Sequence, residues 1–305
     1  MTRIRARQRL LLTLASAIGY GVGVAAVVIV VTTPSDRVLD STAYWLAGRN
    51  VLEGRPLYGA IEIDALGAYF YPPLFAQLWA PLSLLPEPLF AWLWRGLSFA
   101  CLAWLAGGVR TAGLWLLLPI TLHELANPNV TLPVAAATFA ALRGRGWLLP
   151  LAGMLKFGPL LIVPYLWLVR PEVRRQLVLA GLATLGVAAA SLALSPQVWA
   201  EYASHLGGQS AVPSTGNGLI SLAPTAAADF ALRLALAAGL VVAAVATRSD
   251  RLAFVAATIA TPTLWLTRLL PLLALPRLPR GRAVLAARGP RASAESAGAA
   301  QAEPI

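Results

Sequence analysis

The sequence predicts an all-α, polytopic integral membrane protein with broken spans around a cavity that opens outward. Of its 305 residues, 58% are hydrophobic and only 12% are charged, and the mean hydropathy is +0.70. Apolar runs recur along most of the chain without the polar spacing of a soluble helix face, which is typical of proteins with several membrane spans. Short arginine clusters separate these runs and suit the loops between spans.

Composition also excludes several kinds of site. The single cysteine, Cys101, rules out an internal disulfide and a thiolate metal cluster, because each needs at least two cysteines. The formal net charge of +11 would suit a nucleic-acid-binding protein, but the arginines do not follow one amphipathic face. We therefore expect the lipid bilayer as a partner, no nucleic acid, no bound metal and no cofactor.

The first span follows a basic segment, MTRIRARQRL, and covers residues 10–31. This order resembles a signal peptide, but the apolar run exceeds the roughly 7–15 residues of a signal sequence and no small-residue cleavage site follows. We expect the segment to be retained as a membrane helix.

The basic clusters predict the rest of the topology, because Lys and Arg gather on the cytoplasmic side of short loops. All of the clusters can be placed on that side together. This arrangement leaves two external loops, at residues 32–72 and 195–228. The predicted later spans cover residues 89–108, 112–122, 130–142, 177–194 and 229–246.

Two further apolar segments have basic residues at both ends, and we therefore predict that each forms a hairpin. Residues 147–170 form two half-spans that meet near Phe157 to Pro159, and residues 252–275 break at the sequence TPT. Broken spans occur in lipid only where they are buried in protein or line a cavity. We expect one transmembrane domain over 1–280 that encloses such a cavity, and a disordered cytoplasmic tail over 281–305.

The first external loop contains a predicted interfacial helix. Thr33 before Pro34, with Asp36 three residues after the threonine, fits a capping box, and Gly54 supplies the stop. Asp40 then lies in the second turn, past the cap. It is either an exposed carboxylate paired with a nearby arginine or a base that takes a proton from a sugar hydroxyl at the membrane cavity.

Several basic and aromatic residues have two interpretations each. Arg49 lies on the outer side and is either an interfacial anchor or ion-pair partner, or a phosphate contact. Lys156 lies within an apolar run, where a charge is costly, and binds either a donor phosphate or exposed carbonyl groups. His123 with Glu124 lacks metal-ligand spacing and favours a turn-capping role. The tyrosines of the first loop either stack on sugars or form an interfacial aromatic belt.

A family resemblance rests on motifs in chain order. Asp40 with an aromatic residue four positions later, then VLEGRPLY and YFYPPLFAQLWAPLSLLP, resembles the polytopic glycosyltransferases of family 87, which belong to the GT-C class. ANPN, LKFGPLLIVPYLWLVRPEVRR, TGNGLISL and TPTLW stand where that family has further landmarks. Together the motifs span roughly residues 36–275, and they imply a GT-C-like helical bundle.

The resemblance implies transfer of mannose from polyprenyl-phosphate-mannose to a glycolipid or glycan acceptor, on the extracytoplasmic side of the cell membrane. It places Asp40 as the catalytic base. One carboxylate suffices because a phosphate leaving group needs no protonation near neutral pH. A lipid-phosphate or glycolipid transporter and an inactive scaffold remain alternatives. The candidate donor-phosphate contacts are Arg49, Lys156 and Arg268, and the candidate substrate contacts are Tyr44, Tyr58, Tyr71, His123, Asn127, Asn129 and Asn217.

Three departures from the family pattern concern substrate contacts. Thr267 and Arg268 occupy the positions after TPTLW where the family often has histidines, which makes Arg268 a candidate for phosphate. Asn127 stands in place of a glutamine, and Phe157 in place of the proline after Lys156. These differences bear on the identity of the substrate more than on the class of reaction.

Overall fold

The computed structural model describes residues 2–32, 40–58, 69–209, 225–261 and 266–279. Within these ranges the secondary structure consists of α-helices and short 3-10 helices, with no β-strand element. The α-helices are α1 Thr2–Thr32, α2 Asp40–Glu53, α3 Pro73–Trp79, α4 Glu87–Ala106, α5 Val109–Trp115, α6 Pro119–Ala126, α7 Thr131–Leu142, α8 Leu149–Leu155, α9 Val163–Val169, α10 Arg174–Leu194, α11 Pro196–Gln209, α12 Ala226–Thr247 and α13 Asp250–Ile259. The 3-10 helices are Ala80–Leu84, Gly146–Leu148, Gly158–Ile162, Pro171–Val173 and Leu266–Arg277.

Four helical segments are long and apolar enough to cross a membrane. Most of their surface faces away from the protein, and large apolar side chains such as Leu185 (67% exposed) and Val242 (69% exposed) lie on that surface. Lipid is the environment that such side chains require. The prediction of an all-α polytopic membrane protein is confirmed. The segments are Ala6–Thr32, Glu87–Ala106, Pro171–Leu194 and Ala227–Thr247.

Helices α6 and α7 form a broken pair with a bend of 109° between them. The turn predicted around ANPN is therefore confirmed, with α6 ending at Ala126 and α7 beginning at Thr131. The single span predicted at 112–122 is wrong, because α5 ends at Trp115 and α6 begins at Pro119. The proline drives the preceding residue into an extended conformation, which divides the helix.

The predicted break between two half-spans is also present. Helix α8 ends at Leu155, Lys156 is extended, and the 3-10 helix Gly158–Ile162 leads into α9. Gly158 permits a close approach of α13, because a Cβ atom there would lie 2.3 Å from the Ala257 carbonyl oxygen. The break is thus packed directly against α13.

The last apolar segment has two limbs, as the hairpin prediction requires, but the second limb is not an α-helix. The first limb is α13, which begins after Ser249, whose side chain accepts a hydrogen bond from the Leu252 N–H. The second limb is the 3-10 helix Leu266–Arg277, which contains Pro271 and Pro276. Each proline lacks a backbone donor, so a regular α-helical ladder cannot form there.

Helix α2 ends where the sequence predicts, since Gly54 follows Glu53 with a φ of 65°. The described part of α2 begins at Asp40. The predicted cap at Thr33 to Asp36 lies outside the described residues. So do Asn217, most of the TPT break and the tail from residue 280.

An aromatic cluster fixes α2 to the rest of the protein. Tyr44 is 2% exposed, and its ring makes edge contacts with Tyr71, Phe75 and Trp94 at centroid distances of 5.3–5.5 Å. Val130, in the turn between α6 and α7, belongs to the same buried cluster. Packing therefore brings the start of α2 to the α6–α7 turn.

Candidate active site

Asp40 is held by two asparagines of the α6–α7 turn. Its backbone N–H donates to Asn127 Oδ1 at 2.8 Å, and Asn129 Nδ2 donates to Asp40 Oδ2 at 2.6 Å. Among the described residues no other hydrogen bond reaches the Asp40 carboxylate. One carboxylate oxygen is thus fixed, and the other accepts no hydrogen bond from a described residue.

Asn129 connects this carboxylate to two cations. Its Oδ1 accepts hydrogen bonds from Lys156 Nζ at 3.0 Å and from Arg268 Nη1 at 3.5 Å, and the Tyr71 hydroxyl donates to it at 3.4 Å. The Thr131 hydroxyl donates to the same oxygen at 3.3 Å, and an amide oxygen that faces four donors leaves the amide nitrogen to face Asp40. The cations therefore set the orientation in which Asn129 holds the carboxylate.

Lys156 and Arg268 meet again at the Thr131 hydroxyl, which accepts from Lys156 Nζ at 2.8 Å and from Arg268 Nη1 at 3.0 Å. In the described part of the chain neither cation forms a salt bridge with a carboxylate. Two adjacent cations bound only to neutral oxygens form an environment suited to a phosphate.

Burial raises the pKa of the Asp40 carboxyl above its ordinary value of 3.8. The Asn129 hydrogen bond and the charges of Arg268 and His123 act in the opposite direction without cancelling the effect of burial. A carboxylate with a raised pKa is a stronger base, which suits proton removal from a hydroxyl.

The tyrosines differ in how open they are. Tyr44 is packed in the aromatic cluster, with its hydroxyl 3.3 Å from that of Tyr71. Burial raises the pKa of Tyr71 to about 12, so its hydroxyl is a neutral donor. Tyr58 is half-buried, and its hydroxyl donates to the Tyr71 carbonyl at 2.5 Å. Its ring contacts the rings of Tyr202 and His205 of α11 in tilted arrangements. Tyr58 therefore links the site to a more open aromatic surface.

Arg49 lies apart from this network. It pairs with Glu53 at 2.7 Å and lies over the Trp45 ring, and Arg55 pairs with the same glutamate at 2.5 Å. Arg49 follows Asp40 by nine residues, about 13 Å along the helix axis. These contacts match the ion-pair interpretation of Arg49.

The remaining predicted site residues contribute unequally. The Asn127 side chain accepts a hydrogen bond from the Asp40 backbone N–H, as described above. His123 is exposed, and its charge acts on Asp40. Among the described residues, no group of three or more His, Cys, Asp or Glu side chains could hold a metal ion.

Two polar residues of the site were missed by sequence reasoning. Thr131 was not singled out, although it directly follows the predicted turn. Glu124 was assigned only to a turn cap, yet it is 3% exposed, and both Arg268 and Asp40 act on it electrostatically. An acidic residue within an apolar segment was the signal that could have identified Glu124, because such residues are costly in a membrane.

A small cavity of about 40 Å³ adjoins the two cations. Lys156, Arg268 and Thr131 are among its polar lining residues, while Val134 and Phe254 are among its apolar ones. The lining thus combines two cations with apolar side chains.

Comparison with protein families gives one match. The family model of glycosyltransferase family 87 matches residues 69–276, which is more than half of the chain. The matched segment contains both asparagines of the turn and both cations, whereas Asp40 precedes it. Comparisons with curated proteins and with solved structures return no match.

Proposed function

Because the chain belongs to glycosyltransferase family 87 and is therefore a membrane glycosyltransferase, we propose that it transfers mannose from polyprenyl-phosphate-mannose to an extracytoplasmic acceptor, with Asp40 as the base. The acceptor is a glycolipid or glycan. The observation that carries the proposal is the amide of Asn129, which binds the Asp40 carboxylate on one side and the two cations on the other.

The proposed reaction is a single displacement at the anomeric carbon. The oxygen of the Asp40 carboxylate that Asn129 does not bind removes the proton from an acceptor hydroxyl, and the oxygen of that acceptor hydroxyl forms the new bond to the anomeric carbon. The bond between this carbon and the phosphate oxygen breaks, and polyprenyl phosphate leaves with the electron pair. Lys156 and Arg268 stabilise the departing anion, and both are already oriented by Thr131 and Asn129.

The residues that line this cavity support the choice of a lipid-linked donor. The two cations suit a phosphate, and the apolar side chains would contact the carbon atoms nearest to that phosphate. A nucleotide-sugar donor would instead present ribose and base, for which the mostly apolar lining offers few hydrogen-bond partners. The mannosyl specificity rests on the motif resemblance alone.

The geometry changes the roles of several predicted residues. Asn127 and Asn129 position the base, so we no longer propose them as substrate contacts. Arg49 is paired at the other end of α2, so the phosphate role passes to Lys156 and Arg268. The acceptor side is proposed to lie near His123 and the exposed part of Tyr58, because both adjoin the site from open surfaces.

The placement of the site on the extracytoplasmic side follows from the arginine clusters. With all clusters in the cytoplasm, α2 and the α6–α7 turn lie on the opposite side of the membrane. The acceptor would then be a cell-envelope component.

The direct test is transfer of radiolabelled mannose from polyprenyl-phosphate-mannose in membranes that contain the full-length protein. We expect Asp40→Asn to abolish transfer while the protein still inserts and folds. Glu53→Gln is the matched control, since it removes an exposed acid from the same helix, and it should transfer normally. Full activity of Asp40→Asn would refute the role of the base, and no transfer by the wild type would favour a transporter.

A further inference from the structure

Two arginines from different basic clusters meet at the end of α7 that lies away from the proposed active site. Thr131, at the start of α7, contacts Lys156 and Arg268, whereas Arg143 directly follows the last residue of α7. The distance from Thr131 to Arg143 corresponds to about 18 Å along a helix axis. This end of α7 is therefore separate from the proposed donor contacts.

The second arginine, Arg277, is fixed at the end of α4, one of the segments long and apolar enough to cross a membrane. Its Nη1 donates to the carbonyl oxygen of Trp104 and, at 2.7 Å, to that of Leu105. Gly107, with a φ of 89°, leaves room for this side chain, because a Cβ atom there would lie 3.0 Å from Arg277 Nε. These contacts hold the guanidinium at the end of a span, which is the depth of the lipid head groups.

Arg251 of α13 fixes the backbone on both sides of Arg277. Its Nε donates to the Leu278 carbonyl at 2.9 Å, and its Nη2 donates to the Pro276 carbonyl at 3.3 Å. The residue that carries the second cation is thus tied to α13 by its backbone and to α4 by its side chain.

Phe139 of α7 brings the two cations together. The guanidinium carbon of Arg143 lies 5.9 Å from the centroid of the Phe139 ring, and that of Arg277 lies 5.3 Å from it. Burial and the charge of Arg143 both lower the pKa of Arg277 below its ordinary value. Each cation is attracted to the ring, but the two repel each other, and a bound anion would offset that repulsion.

Within the described ranges no carboxylate offsets these charges. No salt bridge there engages Arg143 or Arg277, and the acids of the predicted cytoplasmic side, Glu172 and Asp250, both pair with Arg170. Arg143 is exposed and forms no hydrogen bond with a described residue. Arg277 uses Nη1 for the carbonyl oxygens, and its Nε and Nη2 form no hydrogen bond in the described part of the chain. Both guanidinium groups therefore have donors available to a ligand.

We propose that Arg143 and Arg277 bind the phosphodiester head group of an anionic phospholipid. Guanidinium groups bind phosphate oxygens through paired hydrogen bonds, and basic pockets between membrane helices suit anionic head groups. The bound lipid joins the ends of α4 and α7 to the 3-10 helix Leu266–Arg277, which also carries Arg268. It thereby stabilises the packing of the last apolar segment. The inference goes beyond the proposed transfer reaction and does not depend on it.

The test measures the thermal unfolding midpoint of the purified full-length protein in detergent micelles with increasing mole fractions of phosphatidylglycerol. We expect this lipid to raise the midpoint of the wild type, and phosphatidylcholine, which has no net charge, to leave it nearly unchanged. Arg143→Gln should match the wild type without added lipid, because Arg143 forms no hydrogen bond with a described residue. It should need about tenfold more phosphatidylglycerol for the same rise, since a charge-assisted hydrogen bond is lost.

Arg145→Gln is the matched control, because it removes another exposed arginine two residues further along the chain. Its response to phosphatidylglycerol should stay within about twofold of the wild type, since its guanidinium is not one of the two over the Phe139 ring. Equal losses in both variants would indicate a diffuse attraction to positive charge and would overturn the proposal, as would a wild-type response of Arg143→Gln. Equal stabilisation by phosphatidylcholine, or by the soluble head group glycerophosphoglycerol, would exclude an anionic lipid as the ligand.

Discussion

Replacing Asn129 by alanine tests the link between the base and the cations. The change removes the 2.6 Å hydrogen bond to Asp40 and the acceptor that Lys156 and Arg268 share. The ring contacts of Tyr44 with Tyr71, Phe75 and Trp94 that hold α2 do not involve Asn129, and within that cluster the change removes only the acceptor of the Tyr71 hydroxyl. We therefore expect a folded protein with a poorly oriented base.

The size of the effect follows from the bond that is lost. A hydrogen bond to a charged group contributes about 1.5–3 kcal/mol, which corresponds to a loss of roughly tenfold to a hundredfold in kcat/KM for the acceptor. The pH dependence should change as well. The Asn129 bond lowers the pKa of Asp40, so its removal raises that pKa further above 3.8. Because only the ionised carboxylate accepts a proton, activity should be lost at a higher pH as the solution is acidified.

The assay is the initial rate of labelled sugar transfer between about pH 5 and pH 8, at which an exposed aspartate would be ionised throughout. Asn127→Ala is the control, because Asn127 binds the Asp40 backbone and not its carboxylate. It should lower the rate without moving the acidic limb of the profile. An Asn129→Ala enzyme with an unchanged acidic limb would refute the reasoning.

Four other substitutions have expected outcomes. Lys156→Met and Arg268→Gln should each raise the donor KM by about tenfold in steady-state transfer assays, and the double variant should raise it further. An effect confined to the acceptor KM would contradict the phosphate site. Arg49→Ala should change transfer by less than about twofold, because an exposed ion pair contributes little, and a large rise in donor KM would restore Arg49 to the site. Gly158→Ala should lower the thermal unfolding midpoint, because the added Cβ would lie 2.3 Å from the Ala257 carbonyl oxygen. An unchanged midpoint would show that α13 can shift to accommodate the added methyl group.

The sequence allowed prediction of the features that depend on local signals. The broken span at Phe157, the stop at Gly54 and the turn at ANPN follow from proline, glycine and asparagine chemistry over a few residues. The division of the span at Pro119 was missed because the apolar run around it is continuous. Periodicity alone does not show how a proline in such a run will act.

The site was predictable as a set of residue types but not as an arrangement. Lys156 was singled out as a charge in an apolar run, Asp40 and Arg268 were singled out through the family resemblance, and these side chains do converge. Their convergence on Asn129 depends on contacts between residues 27–139 positions apart, which no local pattern encodes. Arg49 was chosen because it lies on the outer side, and only the position of Glu53 one turn later could have indicated its ion pair.

The contacts of Asn129 also have a consequence for biosynthesis. Asp40 enters the membrane early in translation, whereas Arg268 lies close to the end of the described chain. At roughly 5–20 residues per second, about 10–45 s separate the synthesis of these two residues. During that interval the nascent chain contains Asp40 without Arg268. If these residues have the roles proposed above, we expect transfer from the lipid-linked donor to begin only after the last apolar segment has been made.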